Sequence, residues 1–253
     1  MLNITAVGRP LVIVNVAMTA DGKIDTIARQ GAQISSGEDW ERVDRLRAAA
    51  DAIMVGGKTV LGEDPRLTVK SASLRAERVR QGRPENPVKV TVLTAADLPQ
   101  DCRFMREGDA RVIIMTTERT MPEQASRLGA AGAEVIVLGS ERVDLAAALA
   151  LLHQRGIRSL MVEGGGTLIG ELLRLGLVDE LHLYIAPLIF GGATAPTLAD
   201  GMGLDVAQAV RLRLQDITVE PEGGIIVHYH VRPSPDRPLD AAPVASGDKL
   251  EAD

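Results

Sequence analysis

The chain has 253 residues, 45% of them hydrophobic but only five aromatic (Trp40, Phe104, Tyr184, Phe190, Tyr229), so the core is aliphatic and a single-strand nucleic-acid binder's stacking platforms are excluded. A net charge of −6 argues against polyanion binding, and the lone Cys102 excludes an internal disulfide or a cysteine metal cluster, as suits a reducing cytoplasm. No apolar run approaches the roughly 18 residues of a membrane span, and Met1-Leu2-Asn3-Ile4 lacks the basic start of a signal peptide.

Pro10 to Met18 reads as a buried first strand. Ser36-Gly37-Glu38-Asp39 has the form of a capping box, in which the serine oxygen and the acid each satisfy a free N–H. The helix it opens carries Trp40, Val43 and Leu46 at i, i+3, i+6 on one face, followed by Arg47. Ala52 to Val55 and Val88 to Leu93 are the second and third strands, and Arg111 to Met115, Glu134 to Leu138 and Ser159 to Val162 are further ones. Helices fall around Pro122 to Ala131, with proline in the first turn, and Leu145 to Gln154. Such alternation implies a parallel sheet covered on both faces.

The last third changes character. Glu180 to Ala186 is a strand, and Val206 to Val219 pairs with Ile225 to Val231 across Glu220-Pro221-Glu222-Gly223-Gly224. Val210, Leu212 and Leu214 share one parity while Ile217 and Val219 take the other, which predicts a β-bulge near Gln215-Asp216. The expected fold is α/β: a mainly parallel central sheet with helices on both faces and an antiparallel C-terminal hairpin. It forms a single domain over 1–232, followed by a disordered tail over 233–253 rich in Pro, Asp, Ala and Ser. No internal repeat is visible.

Several chemical motifs fail on spacing. Gly57-Lys58-Thr59 resembles the end of a phosphate-binding loop, but the required first glycine is Ala52. Gly164 to Gly166 do not fit G-x-G-x-x-G, since the sixth position is Ile169. His228 and His230 share one strand face without a third ligand nearby in sequence, so no metal is expected. No Gly-x-Ser-x-Gly elbow exists, and hydrolase chemistry has no support.

Ser159 to Leu173 is the most informative stretch. An apolar run ends in Glu163, three glycines follow (Gly164, Gly165, Gly166), and Thr167 enters a helical pattern. Glycines at a strand-to-helix turn let the backbone approach a ligand, and the first N–H groups of a helix favour an anion, so a phosphate-bearing ligand is expected. Two further strand ends are rich in Gly, Thr and acids: Asn15 to Lys23, and Asp51 to Lys70, where a short helical turn carries Thr59 and Glu63 on one face and Asp64-Pro65 stops it.

Asn15 to Lys23, Arg47 to Lys70, Asn86 to Val92, Glu163 to Leu168, Leu177-Val178-Asp179-Glu180 and Ile185-Ala186-Pro187-Leu188-Ile189-Phe190-Gly191-Gly192 closely resemble the riboflavin-pathway reductases of the dihydrofolate-reductase-like fold. These are the stand-alone diamino-ribosylamino-pyrimidinone phosphate reductases of archaea and fungi, related to the reductase half of the bacterial bifunctional enzyme. The resemblance runs in order over roughly residues 10 to 232, with no zinc-deaminase motif before it. It implies hydride transfer from NADPH to C1′ of a ribosylamino side chain, in a homodimer without metal. It implies that Thr59, Glu63, Gly164, Gly165, Gly166 and Thr167, with Thr94 and Asp97 after the third strand, line the dinucleotide. It implies that Asn15, Arg47, Leu67, Lys70 and Glu163 face the pyrimidinone ribose phosphate, Arg47 and Lys70 being the partners for its phosphate.

Two departures matter. Glu63 stands where the family commonly has Asp, and Leu93-Thr94-Ala95-Ala96-Asp97 stands where it often has Asp-Ser and then Arg. Asp97 suits a free 2′-hydroxyl, so NADH is a possible cofactor, with Arg119 the candidate to compensate. The proton donor is not identified. A pteridine or folate-type reductase on the same fold and a non-enzymatic nucleotide-binding protein stay open as alternatives. Leu181, Leu183 and Ile185 are expected to offer an apolar edge that a second copy covers.

Overall fold

The computed structural model describes residues 8–232; the readings of Met1 to Ile4 and of 233–253 lie outside the described residues. The strands are β1 (Leu11–Thr19), β2 (Ala52–Gly56), β3 (Val88–Val92), β4 (Val112–Thr116), β5 (Ala133–Val137), β6 (Ser159–Val162), β7 (Glu180–Ala186), β8 (Leu212–Val219) and β9 (Ile225–Val231). They form one sheet in the order β5-β4-β3-β2-β6-β1-β7-β9-β8. Strands from β5 across to β7 are parallel, and β9 and β8 add antiparallel. This is the expected architecture. The central strands read as unbroken apolar runs because both faces are covered.

Alternate residues feed two cores. Val12, Val14, Met54, Leu160 and Val162 pack under α6 (Leu145–Gln154) and α7 (Gly166–Arg174). Ile53, Val55, Ile114 and Met161 face α1 (Gly37–Ala49), α2 (Gly57–Glu63), α4 (Arg103–Arg106) and α5 (Pro122–Ala130). The bulge lies between Leu214 and Asp216, where the parity slip requires it.

Some expectations need correction. Val43 and Leu46 of α1 face the core as expected, but Trp40 stays half exposed and the helix also buries Asp39, Asp44 and Arg47. Only half of the capping box forms: Ser36 accepts from the Asp39 N–H, while the Asp39 carboxylate turns to Arg42. The helix α3 (Ala72–Arg80) gives no sequence signal because its one buried side chain is Arg78. β8 begins only at Leu212, after a 3₁₀ turn over Val206–Gln208. Leu181 and Leu183 are core residues and Ile185 packs against them, because β9 inserts beside β7. The exposed apolar edge lies two strands further out, at Leu212, Leu214, Ile217 and Val219 of β8.

Candidate active site

Parallel strands end on one side of the sheet, which is where open α/β sheets bind ligands. β6 is the shortest of the central strands. Val162 pairs with Val14 and Met54, and from there β1 runs on through Asn15 to Thr19 while β2 continues to Gly56. The turn after β6 therefore sits in a notch between two longer strands. It is held by the Glu163 N–H on the Met54 carbonyl (3.0 Å) and the Gly56 N–H on the Gly164 carbonyl (3.0 Å).

Glu163 points to the α1 side. Arg47 Nε and Nη2 donate to its two carboxylate oxygens, each at 2.7 Å, and Arg47 Nη1 donates to the Thr68 carbonyl at 3.1 Å. Burial disfavours the guanidinium charge, but Glu163 and then Asp44 outweigh it and raise its pKa above the ordinary arginine value. Leu67 is buried and left-handed at φ +50°, which turns the chain so that 68–71 lies along α1. Asp44 accepts from the Lys70 and Ser71 N–H groups (2.7 and 2.8 Å), and Asn86 from that of Val69 (3.0 Å). Lys70 itself is exposed, its Nζ 4.4 Å above the Trp40 ring. Asn15 is buried beside Glu163, its Oδ1 without a partner among the described residues.

The three glycines divide their work. Gly164 has φ +145°, a conformation side chains avoid, and faces open space. Gly165 caps α7, and its N–H donates to Thr59 Oγ1 at 3.2 Å. A Cβ on Gly166 would lie 2.3 Å from the Thr197 carbonyl oxygen, so that glycine, like Gly170 a turn later, seats the 195–201 loop on α7. Bare backbone at Gly164 and Gly165, a hydroxyl at Thr59 and the opening N–H groups of α7 at Gly166 and Thr167 fit the phosphates of a dinucleotide.

Glu63 lies at the end of α2. Its carboxyl pKa is raised by burial and then by the nearby carboxylates of Asp25 and Glu163. Asp25 was missed by sequence reasoning: it is buried and accepts from the N–H groups of Thr26, Gly31 and Ala32 (2.7, 2.9 and 3.0 Å). It thereby shapes the β1–α1 loop and sets Gly31 against the Glu63 side chain. Thr94 and Asp97 are exposed after β3, beyond β2 from the notch. Asp97 is 3.3 Å from Arg127, and Arg119 is 3.3 Å from Glu141. Among the described residues no His, Cys, Asp and Glu cluster is arranged to hold a metal ion.

A family model described as the RibD C-terminal domain matches residues 10–226. The chain is 49% identical over 193 residues to the 2,5-diamino-6-ribosylamino-4(3H)-pyrimidinone 5′-phosphate reductase of Archaeoglobus fulgidus, covering 76% of this chain and 87% of that one. It is 46% identical over 225 residues to the protein of the same name from Methanothermobacter thermautotrophicus, covering 88% and 99%. Among solved structures, Acinetobacter baumannii RibD shares the fold with a TM-score of 0.73 at 23% identity, over 90% of this chain and 59% of that one.

Proposed function

The chain belongs to the RibD C-terminal domain family, and on that premise we propose that it reduces the ribosylamino side chain of a (di)aminopyrimidinone ribose 5′-phosphate to the ribitylamino form in riboflavin biosynthesis. NADPH is the reductant and NADH is also accepted. One observation carries this reading: the Arg47–Glu163 pair lies directly before the bare Gly164–Gly165 turn, so polar substrate contacts and a phosphate cradle flank a single strand end. Two ligands held there would meet over Glu163. Hydride transfer requires chiefly that proximity.

When bound, the reduced nicotinamide supplies the hydride. Thr59, Glu63 and Gly164 to Thr167 are its proposed contacts, with Thr94 and Asp97 toward the adenosine end. Asn15, Arg47, Leu67, Lys70 and Glu163 are the proposed substrate contacts. Within this set Arg47 orients Glu163 and anchors the Thr68 carbonyl. Three of its donor nitrogens are thus committed, which leaves exposed Lys70 as the first partner for the 5′-phosphate. Arg119, just past the end of β4, and Arg127 of α5, the partner of Asp97, already face carboxylates, so little discrimination on a 2′-phosphate is expected.

The exposed apolar row of β8 supports a homodimer. No described helix is long and apolar enough to cross a membrane, and the single cysteine suits a cytoplasmic setting. The test is oxidation of NADPH and NADH with the diamino and deaminated ribosylamino phosphates side by side. Turnover of one of them, with kcat/KM for the two cofactors within about tenfold, is the expected result. Turnover of a dihydropterin alone would overturn the reading.

A further inference from the structure

A polar layer lies under α1, reaching the site at Asn15 and otherwise made of residues outside the contacts proposed above. Asn15 Oδ1, Asp39 Oδ2, Arg42 Nη1, His182 Nδ1, Glu220 Oε1 and His228 Nε2 are buried there with no hydrogen-bond partner among the described residues. Folded proteins pair nearly all such atoms, and a buried water typically makes about three hydrogen bonds. So many donors and acceptors in one layer are a site for ordered water.

The layer has a direction. Asn15, level with Glu163, pairs in register with His182, which pairs with His228, which pairs with Asp216. Paired residues share a face, so a polar row crosses the sheet from the notch to its edge. His182 Nε2 lies 3.0 Å from Glu180 Oε2, and His230 Nδ1 lies 3.8 Å from Glu180 Oε1. Glu180 and His230 are each about a fifth exposed, whereas His182 is buried, so the chain of contacts starts at solvent. A carboxylate on Nε2 fixes that nitrogen as the N–H and leaves Nδ1, turned inward, to carry a second proton.

We propose that the Glu180–His182 dyad is a proton relay, delivering through ordered water beside Asn15 the proton that the reduction consumes. The inference rests on the reductase reading. In that reaction C1′ gains a hydride and the C1′=N bond becomes a single bond. The nitrogen takes a proton from the adjacent water as His182 Nδ1 gives one up; Nε2 keeps its own proton on the Glu180 carboxylate, and the water of the layer returns a proton from solvent to Nδ1. His182 is the carrier rather than His228. The two rings stack at 4.2 Å and cannot both be charged, and burial, then the His182 charge, then Arg42 lower the His228 pKa. Around His182 lie Glu180 on β7, His228 on β9 and Asn15 on β1; His230 on β9 reaches Glu180, while Asp216 on β8 and Arg42 on α1, itself paired with Asp39, act on His228.

Two measurements test it. A crystal structure of the wild-type protein should show ordered water between His182 Nδ1 and Asn15 Oδ1; a dry layer, with those atoms paired directly to side chains, overturns the proposal. In steady-state kinetics kcat should fall toward alkaline pH. His182→Gln should lower neutral-pH kcat about 100-fold, leave KM within about twofold and abolish that alkaline limb. A variant with the wild-type profile overturns it. Should His182→Gln fail to fold, Glu180→Gln serves, because losing the carboxylate's charge moves the limb to lower pH; an unmoved limb overturns the relay. Wild-type protein inactive on both substrates overturns the reductase reading and the proton role with it, while the crystal still judges the water layer separately.

Discussion

Arg47 and Glu163 form a buried bidentate pair, and removing one partner of such a pair costs more than the pair contributes. Arg47→Met should therefore destabilise the protein by about 3–5 kcal/mol, because it leaves a buried carboxylate without its cation. The double variant Arg47→Met/Glu163→Leu should recover most of that loss while remaining inactive, since the polar site is gone. Urea denaturation of the wild type, both singles and the double measures the cycle. A single-variant loss below about 1 kcal/mol would place the pair in solvent. The sequence resemblance singled out Arg47, but neither its burial nor its pairing with a carboxylate 116 positions away was legible there. The helix pattern of Trp40, Val43 and Leu46 marks the inner side of α1 through Val43 and Leu46, but it gives no sign that Asp39, Asp44 and Arg47 share that side while Trp40 stays at its margin.

At the scale of elements, the glycines around the start of α7 separate binding from packing. Gly165→Asp puts a carboxylate at a helix N-terminus where a pyrophosphate is proposed, and should abolish saturable NADPH binding in a fluorescence titration while thermal unfolding stays close to wild type. Gly170→Ala should do the reverse. Its Cβ would lie 2.2 Å from the Asp200 carbonyl oxygen, so the 195–201 loop must move, costing about 1–3 kcal/mol, with the cofactor still bound. α4 depends in turn on Lys89, a fully buried residue whose Nζ donates to the Phe104 carbonyl at 3.0 Å and to that of Glu107. Burial lowers the Lys89 pKa to about 8, while Glu107 pulls the other way. Between about pH 8 and the ordinary lysine value of 10.5 the unfolded chain holds this proton and the folded one does not. Stability gained from this residue therefore rises with pH across that window, and the charged form is penalised below it. Compared with Lys89→Met by denaturation at pH 7 and pH 10, the wild type should gain on the order of 1–3 kcal/mol relative to the variant. An unchanged difference would mean that Lys89 titrates like an exposed lysine.

For the whole molecule, the edge of the sheet is the exposed liability. β8 is exposed along its full length, with Leu214, Ile217 and Val219 at 53%, 55% and 68%. The bulge keeps these residues on one face, opposite Tyr229, Val227 and Ile225. An edge strand with an apolar row invites a partner unless charges blunt it. Light scattering at micromolar concentration should report a dimer, and Leu214→Lys/Ile217→Lys should report a folded monomer. A wild-type monomer would contradict the assembly proposed here.

Strand positions and the bulge were legible because both are local: buried strands are apolar runs ended by Gly, Asp or Pro, and a bulge shifts parity within a few residues. The three strand ends that meet at the notch were legible too, since their chemistry lies in consecutive residues such as Glu163 to Thr167. α3 was not, because the contact that seats it is made by Arg78 rather than by an apolar stripe. Nor were the Arg47–Glu163 pair, the Asp25 loop or the Glu180–His182 dyad beside Asn15. Leu181 and Leu183 alternate as an edge would, yet β9 buries them. The sequence by itself determined which segments are strands and helices, because periodicity records contacts between near neighbours in the chain. Only the tertiary structure decided which charges are paired, which polar residues of α1 are buried and which strand is the edge, because those depend on strand order, which brings together residues a hundred or more positions apart.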